Sequence, residues 1–280
     1  MPVITQLHVY PVKSMQGIPL EKGELTVRGL KYDRTWMVID EDGRFLTQRE
    51  IPKLASIQIG FSDDHLQFTN SSGSSIAVPL DGPPGPDIVT EVWGDRCEGL
   101  DEGDEISEWL IQTLGKYKNR SLRLLRFKDE YRRNVDKEYL KGEDSHTAFA
   151  DGFPFLVTTE ESLSALNDRL ASAGANPVSM DRFRPNIVIK GVEPFQENKI
   201  HQLVCADGRF TLGIRKPCKR CKVTTVDQQH GGIANPKEPL RTLTEMKTIP
   251  DRRGAFFGQN ATLVEGDGRE ICRGDVVEVD

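Results

Sequence analysis

The stretch Lys216-Pro-Cys-Lys-Arg-Cys-Lys-Val-Thr-Thr-Val-Asp227 sets two thiols three residues apart among lysines and an arginine. Cys221 stands directly after Arg220 and ahead of a β-branched run. The cationic neighbours Lys219, Arg220 and Lys222 favour a thiolate, the form that ligates soft metals or attacks electrophiles. Read alone, the pair admits other chemistry. Half a zinc site would need a second Cys-x-x-Cys or paired histidines, yet His201, His230 and Cys205 are scattered. A thioredoxin-like pair would open a helix after a strand, whereas residues 222–226 read as a strand. Two thiols in a loop with no joint role complete the alternatives.

Other segments carry groups suited to an anionic ligand. Tyr10-Pro-Val-Lys-Ser14 with Gly17 offers an ammonium and a hydroxyl from the end of the first strand. Gly29-Leu30 with Tyr32-Asp-Arg-Thr-Trp36, and Arg182-Phe-Arg-Pro-Asn-Ile-Val188, each set an arginine amid apolar residues. Such an arginine marks a buried ion pair or an anion site, and Asp33 and Asp181 are the local acids for the former. Arg34 and Arg184 can also make bidentate contacts to phosphate or oxo groups. Asn186, two residues after Arg184 on an expected strand, lies on the same face and offers donors and an acceptor. Asp151-Gly-Phe-Pro-Phe155 with Ser162-Leu163, Glu238-Pro-Leu-Arg-Thr-Leu243 and Phe257-Gly-Gln-Asn260 complete the set.

In this order the segments resemble the motifs of MOSC-domain proteins, the family of the molybdenum-cofactor sulfurase C-terminal domain and the mitochondrial amidoxime-reducing component. The cysteine segment resembles that family's C-x-R-C-x-x-T-T-V-D signature, whose second cysteine binds molybdenum. The resemblance covers the whole chain. It implies a molybdenum cofactor (Mo-molybdopterin), with Cys221 as metal ligand and catalytic residue and Cys218 as a neighbour. The implied cofactor contacts fall on Lys13, Ser14, Arg34, Gly152, Phe153, Arg184, Asn186, Lys219, Arg220, Cys221 and Asn260. The implied activity is reduction of small N-hydroxylated (N-oxygenated) substrates by oxygen-atom transfer. Electrons would come from a separate donor protein, because no C-x4-C-x2-C iron–sulfur run follows the cysteine segment. The same signature also allows a sulfur-transfer or cofactor-carrier protein working through a Cys221 persulfide. Two departures stand out. Some relatives carry hydroxyl residues at the positions of Gly152 and Phe153, which leaves backbone amides there. Glu193-Pro-Phe-Gln-Glu197 resembles a segment that usually continues to a Trp, where this chain has Gln202 or Leu203.

These residues need a scaffold, and 280 residues suffice for one large or two medium domains. A net charge of −6 gives no overall attraction to nucleic acid or an acidic membrane, so any cationic site must be local. No apolar run approaches the ~18 residues of a membrane span, and the chain enters a strand at once, with no room for a signal peptide ahead of it. Five cysteines at irregular positions read as reduced thiols, which points to the cytoplasm.

Short strands are expected at 25–27, 35–39, 54–59, 66–68 and 76–78, with turns at Glu41-Asp-Gly43 and Asn70-Ser-Ser-Gly73. A Pro83-Pro-Gly-Pro86 loop leads to a helix striped by Ile106, Trp109, Leu110 and Leu114, ended by Gly115 and packed on a sheet. Asp101, Glu102, Asp104 and Glu105 form its acidic start. Residues 123–146 read as a charged linker. A second helix has a Thr158-x-x-Glu161 capping box, a Leu163, Leu166, Leu170 stripe and an end before Gly174. Strands return at 186–190, 203–205, 209–214, 221–226, 261–264 and 276–279, with a hairpin at Asp207-Gly208. The fold expected is mainly β with a few helices (α+β): two β-barrel-like domains, 1–122 and 123–280. The resemblance implies that the second is a MOSC barrel and that the site lies between the halves.

Overall fold

The computed structural model describes residues 1–81 and 85–280. The expected 83–86 loop falls partly on residues 83 and 84, which lie outside the described residues. The fold is mainly β, with three α-helices among the described residues. An eight-stranded sheet runs in the order Ile18–Leu20, Val3–Val9, Ile187–Lys190, Phe155–Thr159, Phe256–Glu265, Thr211–Lys219, Gln202–Cys205 and Val277–Val279. Its first two strands come from the start of the chain. A small sheet repeats the exchange, with Lys22–Thr26 lying between Glu270–Cys272 and Gly29–Leu30. Ile4, Leu7, Val9, Leu25 and Leu30 therefore share one core with Phe155, Ile187, Leu212 and Ile271. Strict alternation would turn Leu7 away from Ile4, but the ladder slips between Ile4 and Gln6, and that irregularity returns Leu7 to the inside.

The first half has its own core. A four-stranded sheet orders Trp36–Asp40, Leu122–Phe127, Asp95–Asp101 and Asp87–Val92, beside a meander of Gln58–Ser62, His65–Thr69 and Ser75–Pro79. Helix α1 (Asp104–Leu114) buries Ile106, Trp109 and Leu110 against Leu122 and Leu124, and stops at Gly115 with φ +80°. Both expected turns hold, with Gly43 and Gly73 at positive φ.

Several local expectations need correction, each for a physical reason. Residues 54–59 are not one strand: Pro52 starts a 3-10 turn, Pro52–Ser56, and the strand begins only at Gln58. Residues 222–226 form a 3-10 turn, Lys222–Thr225. The Thr224 and Thr225 hydroxyls donate back to the carbonyls of Cys221 and Lys222 at 2.9 and 2.8 Å, holding β-branched residues in a turn where their propensity favours a ladder. The linker reading of 123–146 fails because Leu122–Phe127 is an inner strand, and Arg133–Asn134 pairs with His146–Thr147. Asp101 and Glu102 do not start the helix; they hold ion pairs with Arg123 and Arg126. The cap of α2 (Glu160–Ser172) is Thr159, whose Oγ1 accepts from the Ser162 amide at 3.1 Å, while Thr158 lies within the preceding strand. A third helix, α3 (Leu240–Met246), lay unread within the Glu238-Pro-Leu-Arg-Thr-Leu243 segment.

Candidate cofactor site between the two halves

Thr211–Lys219 pairs with Phe256–Glu265 in a register that slips three times, the last between Pro217 and Lys219. Cys218 sits at that last irregularity, where a bulge re-aims side chains. The chain then leaves the sheet, and Cys221 becomes the residue capping the Lys222–Thr225 turn, its carbonyl bonded by the Thr224 amide and hydroxyl. Each sulfur accepts from a guanidinium. Arg220 Nη1 lies 2.8 Å from Cys218 Sγ, and Arg49 Nη2 lies 2.9 Å from Cys221 Sγ. Arg49 comes from the first half, 172 residues away in sequence. Among the described residues no three His, Cys, Asp or Glu side chains converge as a zinc site requires.

Two further arginines, Arg34 and Arg184, are linked to each other through the Arg184 carbonyl. Arg34 donates to Asp33 Oδ2 at 2.5 Å, to Asn186 Oδ1 at 3.0 Å and to the Arg184 carbonyl at 3.1 Å. Burial pushes the Asp33 carboxyl up from its usual range, and Arg34 restrains that rise. Arg184 is 8% exposed and forms no ion pair among the described residues. Its Nη1 donates to the Met15 carbonyl at 2.6 Å and to Gln228 Oε1 at 3.2 Å, while Nη2 is buried with no partner among the described residues. Burial draws its pKa down to about 10, so the group is still a cation at neutral pH. Of the two acids expected as ion-pair partners, Asp33 serves Arg34, whereas Asp181 meets Arg184 only through its backbone carbonyl.

The expected geometry of Asn186 is corrected as well. Arg184 is in the left-handed region at φ +55°, just after the Met180–Phe183 turn, so the two residues do not share a strand face. Asn186 uses its amide internally, donating to Asp33 Oδ1 at 2.9 Å and accepting from Arg34 and the Leu156 amide. It orients Arg34; its donors do not reach for a ligand edge. Lys13 and Ser14 likewise do not end the first strand, which stops at Val9. The Lys13 amide bonds the Trp36 carbonyl, and Ser14 takes φ +70°. Lys13 Nζ donates to the Phe149 carbonyl at 2.8 Å and to Asp151 Oδ1 at 2.5 Å. Burial lowers its pKa, with Asp151 working against that shift.

One cleft of about 140 Å³ is lined by all eleven expected contacts: Lys13, Ser14, Arg34, Gly152, Phe153, Arg184, Asn186, Lys219, Arg220, Cys221 and Asn260. Asn260 lies in a strand and donates to the Lys216 carbonyl at 3.1 Å. A Cβ on Gly152 would meet nothing within 4 Å, so a side chain would fit there. Cys218, Thr47, Arg49 and Asp151 line the same cleft, and the last three stood outside the expected contact set. Asp151 opens the segment Asp151-Gly-Phe-Pro-Phe155, but nothing local marks Arg49, whose place beside Cys221 is set by the docking of the halves. Six cations face the cleft on a chain of net charge −6. The donors Arg184 Nη2 and Arg220 Nε lack acceptors there. Each buried orphan costs roughly 1–3 kcal/mol, so this donor set fits an anionic ligand that also takes a thiolate.

Comparison with known proteins gives the class first. The MOSC N-terminal beta barrel domain matches residues 1–117 and the MOSC domain matches residues 144–278. Mitochondrial amidoxime-reducing component 1 of Mus musculus is 33% identical over 264 residues, spanning 91% of this chain and 74% of the relative. The Homo sapiens component 1 is 31% identical (92% and 75% covered), and the Homo sapiens component 2 is 32% identical (86% and 71% covered). The chain therefore belongs to the family of two-part MOSC proteins that includes the mitochondrial amidoxime-reducing components. No helix among the described residues is long and apolar enough to cross a membrane.

Proposed function

We propose that the chain holds a molybdenum cofactor in the cleft between its halves and reduces N-hydroxylated compounds with it. The observation that carries this reading is the Cys221 thiol, with that of Cys218 beside it in sequence, in a cleft of six cations where two buried donors lack acceptors among the described residues. The names of the relatives support the substrate class. A bound molybdenum centre would supply two-electron oxygen-atom chemistry that no side chain here carries. Cys221 would hold the metal as thiolate, with Arg49 Nη2 orienting its sulfur. Arg184 would direct Nη2 to an anionic group, and Arg34, braced by Asp33 and Asn186, would face the same cleft. Lys13, Ser14, Lys219, Arg220 and Asn260 would complete the cradle, with Gly152 and Phe153 giving backbone amides.

The two units proposed remain 1–122 and 123–280, with the strand Leu122–Phe127 crossing the seam. Electrons would come from a separate protein. The proposed compartment is the cytoplasm, although the relatives carry mitochondrial names; cell fractionation decides between the two.

The test is turnover. Protein purified from a host that makes the cofactor, given a reduced electron donor and benzamidoxime, should form benzamidine catalytically, and Cys221→Ser should abolish it. A sulfur or cofactor carrier would show no turnover, and mass spectrometry would find a Cys221 persulfide.

A further inference from the structure

Tyr10 is not among the residues that line the cleft, yet Arg34 and Arg184, which are, both rest on its ring. The Arg184 guanidinium carbon lies 4.3 Å and that of Arg34 4.4 Å from the ring centroid. Two guanidiniums gathered around one buried ring repel each other, and the acid Asp33 pairs with Arg34 alone. The ring face offsets part of that repulsion, since a cation over a buried aromatic face is attracted by the ring's negative face. Burial raises the phenol to about 12, so the ring stays neutral across the working range. Its seat is tight. A Cβ on Gly17 would fall 2.8 Å from Tyr10 Cδ1 and closer still to Cε1, and Tyr10 is 2% exposed. The backbone closes the arrangement, because the Arg34 amide donates to the Tyr10 carbonyl at 2.7 Å and the Tyr10 amide donates to Asp33 at 2.9 Å.

We propose that Tyr10 is a positioning residue: its ring, wedged by Gly17, sets the spacing of Arg34 and Arg184 so that both meet one phosphate group of the bound ligand. This rests on the reading of the cleft as a cofactor site, and it also holds for the protein without cofactor. The hydroxyl has no part in it, so Tyr10→Phe should behave as wild type. Tyr10→Leu removes the ring face. Gly17→Ala keeps the ring but displaces it, at a position whose backbone tolerates alanine.

The experiment titrates cofactor-free protein with inorganic phosphate by calorimetry, at ionic strength fixed with chloride, and measures molybdenum in protein from a cofactor-making host. Tyr10→Leu and Gly17→Ala should weaken phosphate binding by ~10–100-fold, the range for residues that support a site from behind, with Tyr10→Phe unchanged. Gly17→Ala keeps the test open if Tyr10→Leu fails to fold. Phosphate binding unaltered in Gly17→Ala, or weakened equally in Tyr10→Phe, would overturn the proposal, as would a cofactor-free wild type that ignores phosphate although the same chain loads fully with molybdenum in the cofactor-making host. Phosphate binding with the expected variant pattern, in a wild type that never acquires molybdenum, would uphold the role of Tyr10 and sink the cofactor reading instead.

Discussion

The two cysteines differ in what surrounds them. Cys221 caps a turn and takes a hydrogen bond from the other half of the protein, whereas Cys218 sits at a strand irregularity bonded to its own neighbour Arg220. Cys221→Ser should therefore lose the metal in cofactor-replete protein and Cys218→Ser should keep most of it, as plasma mass spectrometry would report. Equal loss in both variants would mean a two-thiol site. Arg184 makes a sharper case. A buried cation without an acid partner is held at a cost, and an apolar replacement of like length removes that cost. Arg184→Met should leave cofactor-free protein as stable as wild type or up to ~2 kcal/mol more stable in urea, while cofactor retention falls. A large loss of stability with normal retention would make it a structural residue. The sequence revealed these groups by type: thiols beside cations, and arginines amid apolar residues. Arg49 could not be read in that way, because its partner is 172 positions distant and only the docked halves bring them together.

Among the elements, strands whose alternation meets one buried face were readable, as 66–68 and 76–78 show. Failures came where side chains compete with the backbone ladder. Thr224 and Thr225 have strand propensity but use their hydroxyls to close a turn, which is what frees Cys221 from the sheet. The start of α2 holds a similar surprise. Glu197, 1% exposed, accepts from Ser162 Oγ at 2.8 Å while its Oε1 has no partner among the described residues. Burial raises its pKa to about 6 from an ordinary 4.5, with the Ser162 bond opposing. Below pH ~4.5 the carboxyl is protonated in both folded and unfolded chains and costs nothing. Between there and about 6 the unfolded chain ionises first, so stability falls as pH rises, by about 2 kcal/mol in all. Glu197→Gln should remove that decline in urea melts across pH 4–7. A variant with the same slope as wild type would assign the pH dependence elsewhere.

At the scale of the whole molecule, the site exists because the chain crosses between its halves more than once. The strands Val3–Val9, Ile18–Leu20 and Lys22–Thr26 leave the first half to complete the sheets of the second, while Val12 and Met15 between them stay in the first core. A division into 1–122 and 123–280 describes the order of the chain better than its cores, since Ile4, Leu7 and Leu25 pack with Ile187, Leu212 and Ile271. Nothing in a local pattern reveals this exchange, because an amphipathic strand records that one face is buried and not which partner buries it. It has a mechanical consequence. A fragment of residues 123–280 would leave Ile187–Lys190 without its neighbour Val3–Val9, and Glu270–Cys272 without Lys22–Thr26. It would also uncover Ile187, Ile189 and Ile271, each fully buried in the intact protein. Unpaired edges next to bare apolar surface favour association over a folded monomer. The fragment should aggregate or melt without a cooperative transition by circular dichroism, and joining residues 1–30 ahead of it through a flexible Gly/Ser linker should restore a sharp one. If 123–280 alone melts as sharply as the joined form, the N-terminal strands are an accessory of the second barrel, and the cleft must then owe its shape to the docking of two self-sufficient halves.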